Sequence, residues 1–269
     1  MLMFNKTCIG YNHLKAKTSC EDYSISFSEK NKYIIAVADG HGGKIYIRSN
    51  KGSKFACKAA IDVLNAYSSN IQNDNFNKLK LDLLCKFNEY VYNDLNKNPL
   101  LTKEMLELSD KEKEKLIKDP LIAYGTTLHA VMKMDDSLIC LSIGDGKVLM
   151  VKNDNILDPF DEYDDENIAN ITTSLSLENA YNFIHVKKMK INNICGVFCM
   201  TDGVTTPYQN YDNLNKSLII PLAKGFEKNP IIQAKKIEKF IYDLGMKTGC
   251  GDDVSLAIFY LKEGVYKWN

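Results

Sequence analysis

The apolar residues of this chain follow two patterns, short continuous runs and helical faces. Residues 33–38 form a continuous apolar run that is rich in β-forming side chains, which predicts a buried strand. Residues 52–68 and 76–95 carry apolar side chains at a spacing near 3.6, which predicts two amphipathic helices packed on a core. The first half therefore predicts a buried strand followed by two helices.

Strand patterns dominate from residue 124 onward. Apolar runs predict strands at residues 126–134, 137–143, 147–152, 196–200 and 254–261. Helical spacing returns at residues 231–246, just before the last of these strands. Because we find neither an internal repeat nor a linker, we expect a single domain over residues 1–269.

Two polar stretches interrupt these patterns. Residues 96–120 are charged and irregular, and Ser109 followed by Glu112 predicts a helix N-terminus with a capping box. We expect a short helical excursion there, ending at Pro120. Residues 153–180 are acidic and rich in asparagine, which is typical of a long loop, and we expect a flap.

Composition and charge narrow the possible partners. The chain has 269 residues, of which 45% are hydrophobic, so it can bury a sizeable core. Lys+Arg and Asp+Glu are equal at 34 each, so we expect no attraction to nucleic acid or to an anionic membrane. No signal peptide and no run of about 18 apolar residues is evident. Several of the eight cysteines lie in apolar runs without a Cys-x-x-Cys pair, which favours reduced thiols, a cytoplasmic location and no zinc site.

Carboxylates adjoin the predicted strands at four widely separated places. They are Glu21-Asp22, Asp39-Gly40, Asp202-Gly203 and Asp252-Asp253. Strands that end in carboxylates would place oxygen ligands at one edge of a sheet, and a neighbouring glycine lets the backbone approach an ion closely. Oxygen ligands without Cys or His favour magnesium or manganese over zinc. Two such ions about 3.5–4 Å apart can share a water, lower its pKa and direct it at a phosphorus atom.

Each of these signals alone has a simpler explanation. Asp-Gly is a strong hairpin signal, and Asp145-Gly146 lies between two strand-like runs, so a type I′ hairpin explains it fully. Glu21-Asp22 alone would be a solvated pair, and Asp253 could be no more than a turn residue. The metal-site interpretation gains weight because the pattern recurs after apolar strands that are far apart in the chain.

Six motifs in order resemble the protein phosphatase 2C family, also called the metal-dependent protein phosphatases. They lie at residues 21–22, 37–43, 124–127, 143–146, 200–204 and 251–255. The opening Gly10-Tyr11-Asn12-His13 is similar to a bacterial branch of the family. The resemblance implies an α+β fold, a four-layer α-β-β-α sandwich of two antiparallel sheets flanked by helices. It also implies hydrolysis of phosphoserine and phosphothreonine in proteins, opposed by a serine/threonine kinase.

The resemblance also implies a pair of divalent cations, magnesium or manganese, at one end of the sandwich. Asp39 would bridge both ions, and the Gly40 carbonyl would bind one of them. The remaining implied ligands are Glu21 or Asp22 for the first ion, and Asp202 and Asp252 for the other.

His41 is the implied general acid. It would protonate the leaving seryl or threonyl oxygen while Asp39 holds the ions. The simpler alternative is a loop histidine that caps the following turn.

Two positions depart from the family pattern. Lys17 stands where members often carry a phosphate-binding arginine, and an ammonium group cannot make the bidentate fork of a guanidinium. Arg48 could supply that fork, unless it is an ordinary surface arginine, and His13 is a further candidate for binding phosphate. Thr206 stands where members with a third metal site often carry aspartate, so a third ion is doubtful even though Asp145 keeps its place.

Three functions remain open at this point. The first is the protein phosphatase, and the second is a catalytically weak or inactive member of the same fold that serves as a binding or sensory module, which Lys17 and Thr206 favour. The third is a hydrolase of small phosphoesters, although a flap at 153–180 would suit a macromolecular substrate. The chain has neither Gly-x-x-x-x-Gly-Lys nor Gly-x-Gly-x-x-Gly, which argues against nucleotide binding.

Overall fold

Two antiparallel β-sheets form the centre of the computed structural model, which describes residues 1–67, 76–152, 155–162, 173–208 and 210–261. The strands within these ranges are β1 (Leu2–Cys8), β2 (Tyr23–Glu29), β3 (Lys32–Ala38), β4 (Leu128–Met134), β5 (Ser137–Ile143), β6 (Lys147–Lys152), β7 (Asn155–Leu157), β8 (His185–Lys190), β9 (Ile194–Met200) and β10 (Val254–Tyr260). One sheet has the order β1-β10-β9-β6-β7 and the other β2-β3-β4-β5-β8.

Helices cover the outer face of each sheet. They are α1 (Tyr11–Ala16), α2 (Ser49–Ala66), α3 (Phe76–Lys97), α4 (Asp110–Lys118), α5 (Ala180–Phe183), α6 (Asp202–Thr205), α7 (Tyr211–Leu214), α8 (Ile220–Lys228) and α9 (Pro230–Asp243). Short 3-10 helices occupy Thr102–Met105 and Pro120–Tyr124, and π-helical turns occupy Asn215–Ile219 and Leu244–Thr248. Helices α2 and α3 pack on the β2–β8 sheet, and α8 and α9 pack on the other.

The central strands are apolar on both faces, because there each sheet is covered on both sides. In β3, Ile34 and Ala36 pack toward the helices, while Ile35 and Val37 pack toward the opposing sheet. Side chains of successive strand residues point to opposite faces, so a strand buried on both faces is continuously hydrophobic. The four-layer α-β-β-α fold expected from the sequence is confirmed.

The link between β5 and β6 differs from the sequence expectation. Asp145-Gly146 was expected to form a two-residue hairpin, but β5 and β6 belong to different sheets. The segment is a crossover from one sheet to the other, and the positive φ in it belongs to Gly144 (104°). The hairpin explanation is therefore wrong, and Asp145 lies where the edges of the two sheets meet.

The structure describes most of the two polar stretches, residues 96–120 and 153–180. Ser109 caps α4, its hydroxyl accepts the Glu112 N–H, and the capping box is present as predicted. In the stretch expected to be a flap, β7 pairs with β6, and Ser174 is buried against Thr126. Residues 153–154 and 163–172 of that stretch lie outside the described residues.

The described helices include none that combines the length and the apolar character needed to cross a membrane.

Arg48 lies at the start of α2 and is 5% exposed. Its five side-chain hydrogen bonds go to both Glu104 carboxylate oxygens (2.9 Å each), the Tyr124 hydroxyl (2.8 Å), and the carbonyls of Asn98 (2.6 Å) and Pro99 (3.0 Å). A guanidinium has five N–H donors, so none remains for a phosphate. The expectation that Arg48 binds the substrate phosphate is corrected: Arg48 ties residues 98–124 to α2.

Replacing Arg48 with alanine should lower the free energy of unfolding by about 3 kcal/mol, measured by urea denaturation. The reason is that Glu104 and Asp94, within 2.9 and 3.5 Å of the guanidinium, would lose their buried counter-charge. Lys51→Met is the matched control, because Lys51 also contacts Asp94 but is 38% exposed in its side chain, and it should cost less than about 1 kcal/mol. Wild-type stability of Arg48→Ala together with weakened phosphopeptide binding would contradict this assignment.

Candidate metal centre

Carboxylates from both sheets meet at one edge of the sandwich. In the β2–β8 sheet, the start of β2 adjoins the end of β3, since Tyr23 pairs with Ala38. In the other sheet, the end of β9 adjoins the start of β10. Antiparallel pairing thus brings the residues before one strand beside the residues after its neighbour. A hydrogen bond of 2.7 Å from the Thr201 hydroxyl to Asp22 connects the two edges.

These side chains surround a cavity of about 400 Å³. Its lining consists of Asn12, His13, Glu21, Asp39, Gly40, His41, Gly42, Thr127, Asp145, Asp202, Cys250, Asp252 and Asp253. The structure therefore brings together eight of the sequence-predicted site residues: His13, Glu21, Asp39, Gly40, His41, Asp145, Asp202 and Asp252.

Asp39 follows directly after β3 and is held by the segment before β4. Its N–H donates to the Thr127 hydroxyl (2.9 Å), and its carbonyl accepts from the Thr127 N–H (2.8 Å) and the Thr126 hydroxyl (2.9 Å). These three bonds fix the backbone of Asp39 against the segment that precedes β4.

Gly40 is required by close backbone packing. A β-carbon at this position would lie 2.7 Å from the Glu21 carbonyl oxygen and 2.8 Å from that of Ser49, closer than real contacts allow. The Gly40 N–H donates to the same Glu21 carbonyl at 3.1 Å. The Asp39 loop is thereby fixed against the Glu21 segment.

Glu21 and Asp22 point to different places. Glu21 lines the cavity, and its Oε1 accepts the Ser49 hydroxyl at 2.9 Å. Asp22 is 5% exposed and lies behind the cavity wall, where one of its oxygens accepts from Thr201 and the other, Oδ1, has no partner. Burial raises the pKa of both carboxyl groups.

The central pair is Asp39 and Asp202. Both side chains line the cavity, and burial raises the pKa of each carboxyl group, that of Asp39 well above its usual value. Asp22 raises the pKa of Asp39 further, and Asp145 raises that of Asp202. Like charges that cannot separate hold protons at a pH where isolated carboxyls would not.

The oxygen donors that line the cavity have the chemistry that a divalent cation requires. Buried Asp22 Oδ1 and Asp202 Oδ1 have no hydrogen-bond partner, and a cation would offset the repulsion among the carboxylates. Carboxylate and carbonyl oxygens are ligands that magnesium and manganese accept. No three His, Cys, Asp or Glu side chains in the described part of the chain already stand in an arrangement that holds an ion.

His41 lines the cavity opposite the carboxylates. Its N–H donates to the Gly125 carbonyl (3.1 Å), and its ring packs against Tyr46 with centroids 4.9 Å apart. Its buried Nε2 has no partner. Burial lowers the pKa of His41, and the Asp145 carboxylate opposes that shift.

His13 and Lys17, both expected to bind phosphate, occupy different surroundings. His13 lines the cavity between carboxylates, with Nε2 4.0 Å from Glu21 and 3.9 Å from Asp252. Burial opposes its charge, but the Ser19 carbonyl and the Asp253 carboxylate raise the pKa of His13. Lys17 is exposed at the C-terminal cap of α1, with φ of 58°, and does not line the cavity.

Some cavity residues were not assigned a role from the sequence. Asn12 is anchored by its N–H to the Gly251 carbonyl (2.9 Å) and by its amide to the Cys250 carbonyl (3.3 Å). Asp253, considered a possible turn residue, is 3% exposed and accepts two backbone N–H groups. The motif at residues 10–13 was a sequence signal for Asn12. Nothing in the local sequence distinguishes the buried Asp253 from its exposed neighbour Asp252.

Comparisons with known proteins agree with this geometry. The family model for protein phosphatase 2C matches residues 9–241. A search of curated protein sequences found no match.

Solved structures of bacterial phosphatases share the fold. Stp1, a serine/threonine phosphatase from Staphylococcus aureus, is 15% identical with a TM-score of 0.62, covering 98% of this chain and 96% of its own. The S. agalactiae serine/threonine phosphatase is 18% identical with a TM-score of 0.60, covering 97% and 100%. The catalytic domain of PstP, solved in complex with two manganese ions, is 14% identical with a TM-score of 0.59, covering 96% of each chain.

At this level of identity the solved structures show the fold, while the family model covers most of the chain. The resemblance expected from the six motifs is confirmed, and the matching family is one of protein phosphatases. The chain therefore belongs to the protein phosphatase 2C family.

Proposed function

We propose that this protein hydrolyses phosphoserine and phosphothreonine in protein substrates, with two divalent cations held at the edge of the sandwich. The observation that carries the proposal is the Asp39–Asp202 pair, two half-buried carboxyl groups that follow strands of different sheets and line the same cavity. The family match and the manganese-bound PstP domain support it.

The proposed ligand roles are those that the family resemblance implies, and the cavity lining is compatible with them. Asp39 would contribute to holding both ions, and the Gly40 carbonyl and Glu21 would help to hold one of them. Asp202 and Asp252 would hold the second ion. When bound, the ions would polarise a water molecule and neutralise phosphate charge. The full proposed ligand set is Glu21, Asp22, Asp39, Gly40, Asp202 and Asp252, with magnesium and manganese equally compatible.

Asp22 would contribute from its buried position behind the cavity wall. Its carboxylate is directed by Thr201, and its partnerless Oδ1 is the group that would reach an ion or its water. Asp145 lines the cavity, but Thr206 replaces the aspartate of a third site, so the third ion stays doubtful.

His41 is the proposed general acid. It lines the same cavity as Asp39, and its Nε2 has no competing partner, so it can face the leaving oxygen of a substrate. The packing against Tyr46 and the bond to the Gly125 carbonyl restrict its ring and backbone.

In this proposal, His13 and Lys17 bind and orient the substrate phosphate. His13 already lies in the cavity and gains positive character from its surroundings. Lys17, exposed on the segment that follows α1, is the nearer match to the family's arginine in sequence. A serine/threonine kinase would supply the substrates, and we propose a cytoplasmic signalling role.

Phosphate release from a phosphoserine peptide should require magnesium or manganese and stop in excess EDTA. The reason is that the carboxylates at this edge would repel the phosphate when no cation offsets their charge. Full turnover by metal-depleted protein would overturn the two-ion mechanism. Metal binding without any turnover would favour the alternative of an inactive binding or sensory module.

Asp39→Asn should abolish nearly all turnover, because a neutral amide offsets less cation charge. In metal-free buffer at pH 8 the same variant should raise the melting temperature by about 2–4 °C, since one carboxylate less means less repulsion within the cluster. Differential scanning calorimetry with EDTA measures this. Asp243→Asn is the control; that carboxylate pairs with Lys247 on an exposed helix face, so its loss should not stabilise the protein.

His41→Ala should lower the rate on alkyl phosphate esters by roughly 10²–10⁴-fold. Aryl phosphates carry a better leaving group that needs little protonation, so their hydrolysis should fall less. The comparison is made by steady-state kinetics at saturating metal, with Lys44→Ala in the same loop as control. Equal losses on both substrate types would show that His41 is structural.

A further inference from the structure

Asp253 is a buried carboxylate that faces backbone N–H groups rather than the centre of the cavity. It is 3% exposed; its Oδ1 accepts the Gly10 N–H at 2.6 Å, and its Oδ2 accepts the Glu21 N–H at 2.6 Å. His13 Nδ1 lies 3.3 Å from the same Oδ2. Both oxygens are therefore engaged by protein donors.

The backbone of Asp253 also contacts two other parts of the carboxylate cluster. Its N–H donates to Asp252 Oδ1 at 2.8 Å. Its carbonyl packs so closely on Gly203 that a β-carbon there would lie 1.9 Å from the carbonyl oxygen. Gly203 directly follows Asp202, so one residue touches the segments that carry Glu21, Asp202 and Asp252.

We propose that Asp253 is a positioning residue that sets metal affinity by holding the Glu21 segment against the β9 and β10 ends. The proposal rests on the proposed function, because it concerns the same cations. Glu21 comes from the β2–β8 sheet, whereas Asp202 and Asp252 come from the other. The Asp253 carboxylate joins the two sheets at the point where the ligands must converge.

A carboxylate is needed here, and an amide cannot replace it. The two backbone groups that face the side chain are both N–H donors, and an asparagine has one acceptor oxygen and one NH₂ donor. In Asp253→Asn, the NH₂ would face either the Gly10 or the Glu21 N–H, leaving one buried donor without a partner. The size of the side chain barely changes, so the variant removes one acceptor and the negative charge beside His13.

The test is a calorimetric titration of metal-free protein with MnCl₂. Asp253→Asn should weaken manganese binding by about 10–100-fold, as for other groups that orient metal ligands. Its phosphatase rate should recover toward wild type as manganese is raised to saturation, because the ligands themselves are intact. Asp252→Asn lacks a proposed ligand and should not recover.

Asp94→Asn is the matched control. Asp94 is another largely buried carboxylate with several donors, the Lys51 ammonium and the Tyr124 hydroxyl among them, and it does not line the cavity. It should lower stability without changing the dissociation constant for manganese. An equal loss of affinity in Asp94→Asn would attribute the effect to general destabilisation and overturn the proposal.

Amide hydrogen exchange of the metal-free wild type gives a second measurement that needs no variant. The Glu21 and Gly10 N–H groups should exchange slowly, because the buried carboxylate holds them. Exchange at the rate of a free amide would overturn the proposal, as would a wild-type manganese affinity in folded Asp253→Asn. If the wild type itself binds no manganese, the proposed function fails, and that result is distinct from a failure of the Asp253 inference.

Discussion

Repulsion among carboxylates that cannot move apart is the constraint on which this site depends. Asp39 and Asp202 follow directly after the apolar strands β3 and β9, which are packed between layers, and Asp22 is buried just before β2. The packing of the core therefore sets where their backbones lie. Burial, with these neighbours, raises the pKa of each of the three. A divalent cation offsets that charge where rearrangement of the protein cannot, which couples the sandwich edge to metal chemistry.

The loops that carry these groups are held mainly by backbone hydrogen bonds. Thr126 and Thr127 form hydrogen bonds with the Asp39 backbone, and the Gly125 carbonyl accepts a hydrogen bond from the His41 N–H. The helical excursion contributes to this support, because the Arg48 N–H donates to the Ala123 carbonyl and its guanidinium binds the excursion. A stretch that resembles a surface insertion in sequence is thus part of the structure behind the cavity.

Phosphate recognition differs here from what a family arginine would provide. All five N–H donors of the Arg48 guanidinium are used in structural bonds, and His13 lines the cavity among carboxylates. A lysine ammonium offers less orientation to a phosphate than the planar fork of a guanidinium. In the proposed function the direction of the phosphate would therefore depend more on the carboxylate-held ions than on a single arginine.

Local pattern was sufficient for β3, β4, β5, β6, β9 and β10, for the two long helices and for the Ser109 cap, because backbone period and capping depend on neighbouring residues. It did not predict β1, β2, β7 or β8, which lack a continuous apolar run. The motif order was sufficient for the family and for most cavity residues, Asp39 and Asp202 among them. The motif order was insufficient for Arg48 and Asp253, whose roles come from partners 46–76 and 232–243 positions away. Tertiary structure also decided that β5 and β6 enter different sheets, because layer packing, and not the three-residue link, selects the partner strand.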